Sequence, residues 1–224
     1  MKFTNKKAIF FDLDGTLINS ALDLAKAVNF MLQTLKYDTF EEDTIHRWVG
    51  NGALTLVKRA LSGDTIINKH LDEDEVTHAL EVFLDFYGKN ICVATKPYPN
   101  VLETLQNLKV KNYTLAIITN KPFDFVAPIL ETLGLDNLFE VILGGDSLAK
   151  KKPDPMPLLH VCEQLNVNVE ACVMVGDSKN DILAANACGM QSVGVTYGYN
   201  YGESIGVYNP THIVNDFGEL NNVL

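Results

Sequence analysis

At 224 residues, with 47% hydrophobic side chains and a formal net charge of -10, the chain can bury a large core, and its acidic balance excludes an extended basic face for nucleic acid. Any anionic substrate must therefore meet local cations or a metal. The four cysteines form no CxxC pair and the five histidines no ligand-spaced cluster, and no apolar run is long enough for a membrane span, so the expected compartment is a reducing cytoplasm.

In chain order, Ala8-Ile9-Phe10-Phe11 reads as a strand buried on both faces. It runs straight into Asp12-Leu13-Asp14-Gly15-Thr16, so two carboxylates leave the core together. Asn19 or Ser20 is placed to cap a helix whose Ala21, Leu24, Ala25, Val28, Leu32 and Leu35 share one face. Thr39 with Glu42 has the spacing of a capping box for a second helix to about Trp48. Gly50-Asn51-Gly52 interrupts it, Ala53 to Leu61 resumes helical spacing, and Gly63 stops it. Asp72 opens a fourth helix, with Val76, Leu80, Phe83 and Tyr87 on its apolar face. Asn19 to Asn90 is thus predicted to be helical throughout, without a strand, and Lys96-Pro97-Tyr98-Pro99 closes it as a loop.

Behind that loop the pattern alternates. Helix Val101 to Leu108 leads to strand Leu115 to Ile118, and helix Phe123 to Leu133 to strand Val141 to Leu143. Helix Pro155 to Leu165 leads to strand Cys172 to Val175, and helix Asp181 to Cys188 to strand Val193 to Val195, with a weaker strand at His212 to Val214. Such alternation predicts an α/β fold, a doubly wound, Rossmann-like parallel sheet, with the helical section inserted between its first two strands. The expected division is a core of residues 1–18 and 97–224 and an all-helical cap of residues 19–96.

Ligands bind beyond the carboxyl ends of such strands. Asp12, Asp14, Thr119, Asn120 and Asp177 all sit at strand ends, and Lys152 follows another strand. Carboxylates gathered on one rim repel unless a cation neutralises them, and hard oxygen donors suit Mg²⁺. A metal, a lysine and a hydroxyl together suit a phosphoryl group, with Asp12 the better placed nucleophile and Asp14 able to move protons.

Asp12-Leu13-Asp14-Gly15-Thr16, Thr119-Asn120, Lys152-Pro153 and Gly176-Asp177-Ser178-Lys179-Asn180-Asp181 resemble, in order, the four motifs of the haloacid dehalogenase superfamily of phosphohydrolases. The resemblance implies Asp12 as nucleophile and Asp14 as general acid/base. It implies Mg²⁺ on the Asp12 carboxylate, the Asp14 backbone carbonyl and Asp177, with Thr119, Asn120 and Lys152 holding phosphoryl oxygens. Asp181 would then orient either Lys152 or a metal-bound water, and the helical section would be a mobile cap. Arg47-Trp48-Val49-Gly50-Asn51-Gly52-Ala53, Lys152-Pro153-Asp154-Pro155 and Thr196-Tyr197-Gly198-Tyr199-Asn200-Tyr201-Gly202 are similar to the branch of that superfamily that hydrolyses 2-phosphoglycolate. Backbone amides of Gly50, Asn51 and Gly52, or a cation from Arg47, Lys58 or Arg59, would then meet the substrate's carboxylate.

The implied partner is a small anionic phosphomonoester, met by a monomer or homodimer away from membranes. Another small-molecule phosphatase or a phosphosugar mutase would share these acids. A receiver-type signalling module would also combine acids, a threonine and a lysine, but Asp14 and the large insertion argue for turnover. Tyr197, Tyr199 and Tyr201 alternate as a surface strand or loop would, and the spacing does not say whether any faces the site.

Overall fold

The structure is a computed structural model that describes residues 3–224. The α/β expectation holds. Strand β1 (Ala8–Phe11) leads through β2 (Ile18–Asn19) into four helices, α1 (Ala21–Thr34), α2 (Glu42–His46), α3 (Ala53–Ser62) and α4 (Glu73–Lys89). The chain returns through β3 (Lys96–Pro97) and α5 (Val101–Val110) to β4 (Thr114–Ile118), α6 (Val126–Leu133) and β5 (Val141–Leu143). It continues with α7 (Met156–Gln164), β6 (Cys172–Gly176), α8 (Lys179–Cys188), β7 (Gln191–Val195), β8 (His212–Val214) and α9 (Leu220–Val223).

Six strands make one sheet in the order β5-β4-β1-β6-β7-β8, and every pairing in it is parallel. β1 is central because its side chains can be hidden on both sides. Ile9 and Phe11 enter an apolar cluster with Leu105, Val126, Ile129 and Phe217, whereas Ala8 and Phe10 enter another with Leu158, Val161, Ala184 and Met190. Each such buried Ile or Phe contributes roughly 1.5–3 kcal/mol relative to exposure. Asp12, Thr119 and Asp177 follow directly on the ends of this covered strand and of its two partners, β4 and β6.

The four inserted helices bury a separate cluster around Met31, Leu32, Trp48, Val57, Phe83 and Tyr87. Asp72 caps α4, its Oδ1 accepting from the amides of Asp74 and Glu75 at 2.9 Å, and Gly63 ends α3 in the left-handed conformation. Where the chain crosses between the two clusters, β2 and β3 pair antiparallel, Ile18 with Pro97 and Asn19 with Lys96. The sequence reading missed this ribbon, because two-residue strands carry no periodicity. Nearby, the buried Asp23 of α1 accepts from the Ala94 and Thr95 amides and the Thr95 hydroxyl at 2.7–3.0 Å. The expected Thr39–Glu42 capping box is absent: α2 begins after Glu41, which makes no side-chain cap. Ser20 does precede α1 without capping it, since its hydroxyl is taken by Asp14, 2.5 Å away.

Candidate active site

At the end of β1 the buried Asp12 Oδ1 accepts from the Leu13 amide at 2.7 Å and lies 3.2 Å from Lys152 Nζ. Lys152, 1% exposed, reaches Asp181 Oδ1 at 2.5 Å. Asp181 is the N3 residue of α8 and its other oxygen accepts from the Ser178 amide and hydroxyl at 3.0 Å, so the helix start fixes the acid that fixes the lysine. Asp177, at the end of β6, accepts from the Thr16 hydroxyl at 2.8 Å and the Tyr199 amide at 2.6 Å. Gly15 makes this approach possible. It turns at φ +87°, and a Cβ there would lie 2.7 Å from Asp177 Cγ.

Three buried acids, Asp12, Asp177 and Asp181, present oxygens within 4.8 Å of one another. Burial pushes the Asp12 carboxyl up to about 6 against the pull of Lys152. Burial, then Asp181 and Asp12, raises Asp177 well above the usual carboxylate range. Burial alone would lower Lys152, but Asp12 and Asp181 hold it above the ordinary lysine value. One ammonium among three acids leaves negative charge uncompensated, and an all-oxygen donor set in that state fits a hard divalent cation.

Asp14 projects to the other side. Its Oδ1 and Oδ2 lie 3.0 and 3.1 Å from Lys121 Nζ. The buried Lys121 also donates to Tyr87 Oη of α4 at 2.7 Å. Burial works to lower Lys121, yet Asp14 and Tyr87 keep it protonated, above the ordinary lysine value. Beyond Asp12 and Asp14 is a cavity of about 40 Å³ lined by Leu24, Val49, Gly50, Gly52, Leu56, Phe83, Tyr87, Thr119, Asn120, Lys121 and Phe125.

The loop 50–52 is fastened over this cavity by core residues. The Gly50 carbonyl accepts from Asn120 Nδ2 at 3.2 Å and Asn180 Nδ2 at 3.0 Å, and Asn120 Nδ2 also donates to the Lys152 carbonyl at 3.0 Å. Lys151 Nζ donates to the Asn51 carbonyl, and Tyr201 Oη to Asn51 Oδ1, both at 2.7 Å. Gly50, at φ +116°, has no room for a side chain: a Cβ would lie 2.6 Å from Tyr201 Oη. Of the cap residues singled out, Gly50 and Gly52 line the cavity. Arg59 instead donates to the Trp48 and Thr65 carbonyls at 2.6 and 3.1 Å, Lys58 pairs with Glu73 at 2.9 Å, and Arg47 is exposed.

Sequence reasoning missed Lys121, Tyr87, Asn180 and the tyrosines. Lys121 was detectable as the residue directly after Thr119-Asn120. The tyrosines lie on a loop after β7, as one of the two readings has it, but their side chains turn inward. Tyr197 Oη donates to the Thr16 carbonyl, and Tyr199 Oη accepts from the Ser20 and Ala21 amides and donates to Asn19. With Tyr201 they reach from the core to the crossing and to the insertion.

The family model of the haloacid dehalogenase-like hydrolases matches residues 9–195. The chain is 56% identical to the phosphoglycolate phosphatase of Colwellia psychrerythraea over 98% of this chain and 97% of that one. It is 49% identical to the phosphoglycolate phosphatase of Psychrobacter arcticus, over 96% of this chain and 94% of that one. Among solved structures, a predicted phosphoglycolate phosphatase from Haemophilus somnus superposes with a TM-score of 0.91 at 41% identity, covering 98% of both chains.

Proposed function

The chain belongs to the haloacid dehalogenase-like hydrolases, and from that premise we propose that it is a phosphoric monoester hydrolase acting on 2-phosphoglycolate. The observation that carries the reading is the pairing of two acids at the end of β1 with two different buried lysines, Asp12 with Lys152 and Asp14 with Lys121, beside a small cavity. Relatives named for the same activity over nearly the whole chain support the substrate.

Asp12 attacks phosphorus and becomes an aspartyl phosphate while Asp14 protonates the departing glycolate oxygen. Asp14 then takes a proton from water, which attacks the aspartyl phosphate and frees Asp12 and phosphate. Thr119, Lys152 and the backbone amide of Asn120 hold the phosphoryl oxygens. Asp181 keeps Lys152 aimed at them. The Asp12 carboxylate, the Asp14 backbone carbonyl and Asp177 would hold Mg²⁺, which when bound neutralises charge on the acids and the phosphoryl group. Residues 19–96 serve as a cap over a core of 1–18 and 97–224, moving on the β2–β3 ribbon, with the Gly50–Gly52 loop rather than Arg47 or Arg59 facing the leaving group. Among the described residues no helix is long and apolar enough to cross a membrane, in keeping with a cytoplasmic metabolic enzyme.

The test is a panel of small phosphomonoesters with Mg²⁺. 2-Phosphoglycolate is expected to give the highest kcat/KM, and Asp12→Asn to lower turnover by ~10⁴-fold or more. A clear preference for another ester overturns the substrate, and turnover that survives Asp12→Asn overturns the nucleophile.

A further inference from the structure

Lys121 is the joint between two parts of the molecule. An ammonium has three N–H donors. Here the acceptors in reach are the two Asp14 oxygens and Tyr87 Oη, at 3.0, 3.1 and 2.7 Å. Ser20 Oγ also donates to Asp14 Oδ1. The Tyr87 ring is itself locked, stacked on Phe83 at 5.9 Å and edge-on to Phe125 at 5.2 Å between centroids. Tyr87 comes from α4 in the insertion, whereas Asp14 and Lys121 come from the ends of β1 and β4.

A buried ammonium deprived of one acceptor in such apolar surroundings turns toward whatever polar group it can find. Without the Tyr87 oxygen, Lys121 keeps only the two Asp14 oxygens as acceptors and is free to shift, and the Asp14 carboxyl shifts with it. We propose that Tyr87 is a positioning residue for proton transfer: acting through Lys121, it fixes where the Asp14 carboxyl sits, so proton delivery depends on a side chain that the insertion supplies. The proton passes from the Asp14 carboxyl to the leaving oxygen as the P–O bond breaks. Tyr87 and Lys121 neither gain nor lose one. The proposal rests on the reading of Asp14 as general acid.

Two nearly isosteric substrates separate this role from a structural one. Ethyl phosphate expels an alkoxide that needs a proton, whereas acetyl phosphate expels acetate, which does not. For Tyr87→Phe, kcat/KM on ethyl phosphate is expected to fall about tenfold while that on acetyl phosphate changes less than about twofold. Asp14→Asn should show the same pattern, more strongly. Lys121→Met, which cuts the link from the other side, should reproduce it if the tyrosine variant folds poorly. Equal losses on both substrates, or no loss, overturn the proposal. If Asp14→Asn itself shows no dependence on the leaving group, the acid reading fails and the role of Tyr87 falls with it. If Asp14→Asn shows the dependence and Tyr87→Phe does not, only the role of Tyr87 fails.

Discussion

The two lysines of this site keep different company. Lys152 is answered wholly from the core, by Asp12 and Asp181, whereas Lys121 is answered by Asp14 from the core and by Tyr87 from the insertion. On the proposed mechanism, the phosphoryl pole is therefore complete in the sheet and its loops, and the leaving-group pole exists only where the helical unit meets them.

The largest expected break in that contrast is Lys152→Met. It removes the cation nearest the nucleophile and leaves Asp12 and Asp181 buried without it, so kcat/KM should fall by ~10²–10³ and stability by roughly 3–5 kcal/mol. Steady-state kinetics and denaturant titration would check both, and a loss smaller than that of Tyr87→Phe would reverse the ranking of the two poles.

Next comes the response of the acid cluster to pH. Asp12 is raised to about 6 from 3.8 and Asp177 is raised as well. Acids raised in the native state hold protons that the unfolded chain has released, so their contribution favours folding at low pH and is lost as pH rises through that window. Thermal melts of metal-free protein should show this decline, and Mg²⁺ should raise the melting midpoint more at about pH 8 than at about pH 5. Equal protection at both values would place the metal away from these carboxylates.

Tyr201→Phe has the smallest expected effect. It removes the bonds to Asn51 and Asn180 but leaves Asn120 and Lys151 on the loop. A rise in KM of about threefold with kcat little changed corresponds to a modest net worth for the two bonds together. A fall in kcat instead would mean that this contact, too, reaches the chemistry.

The same contrast governs how much was readable from sequence. Asp12 and Asp14 are legible because an apolar run ends in them, and Asp177 because a second such run ends beside it. Lys152 is harder. It stands in a run of three lysines, and only tertiary structure separates Lys150, paired with Asp154, from Lys151 on the Asn51 carbonyl and Lys152 in the core. Tyr87 was legible as part of an apolar helix face, which its ring indeed joins, but the meeting of its hydroxyl with Lys121 depends on how two separately packed units dock. The tyrosines after β7 alternate, yet Tyr201 sits at φ +53° in a turn, a backbone state that side-chain alternation cannot reveal.

The central place of β1 also sets an order of events during synthesis. Ala8 pairs with both Thr114 and Cys172, so the strand that ends at Asp12 leaves the ribosome early and waits for partners made much later. Its apolar side chains lack sheet neighbours during that interval, while the helices that follow it already have most of an apolar cluster of their own. Long-range parallel pairing of this kind is slow to form and leaves sticky strands exposed. Asp12 thus stands at the end of a strand that cannot be flanked on both sides until β6 has been made.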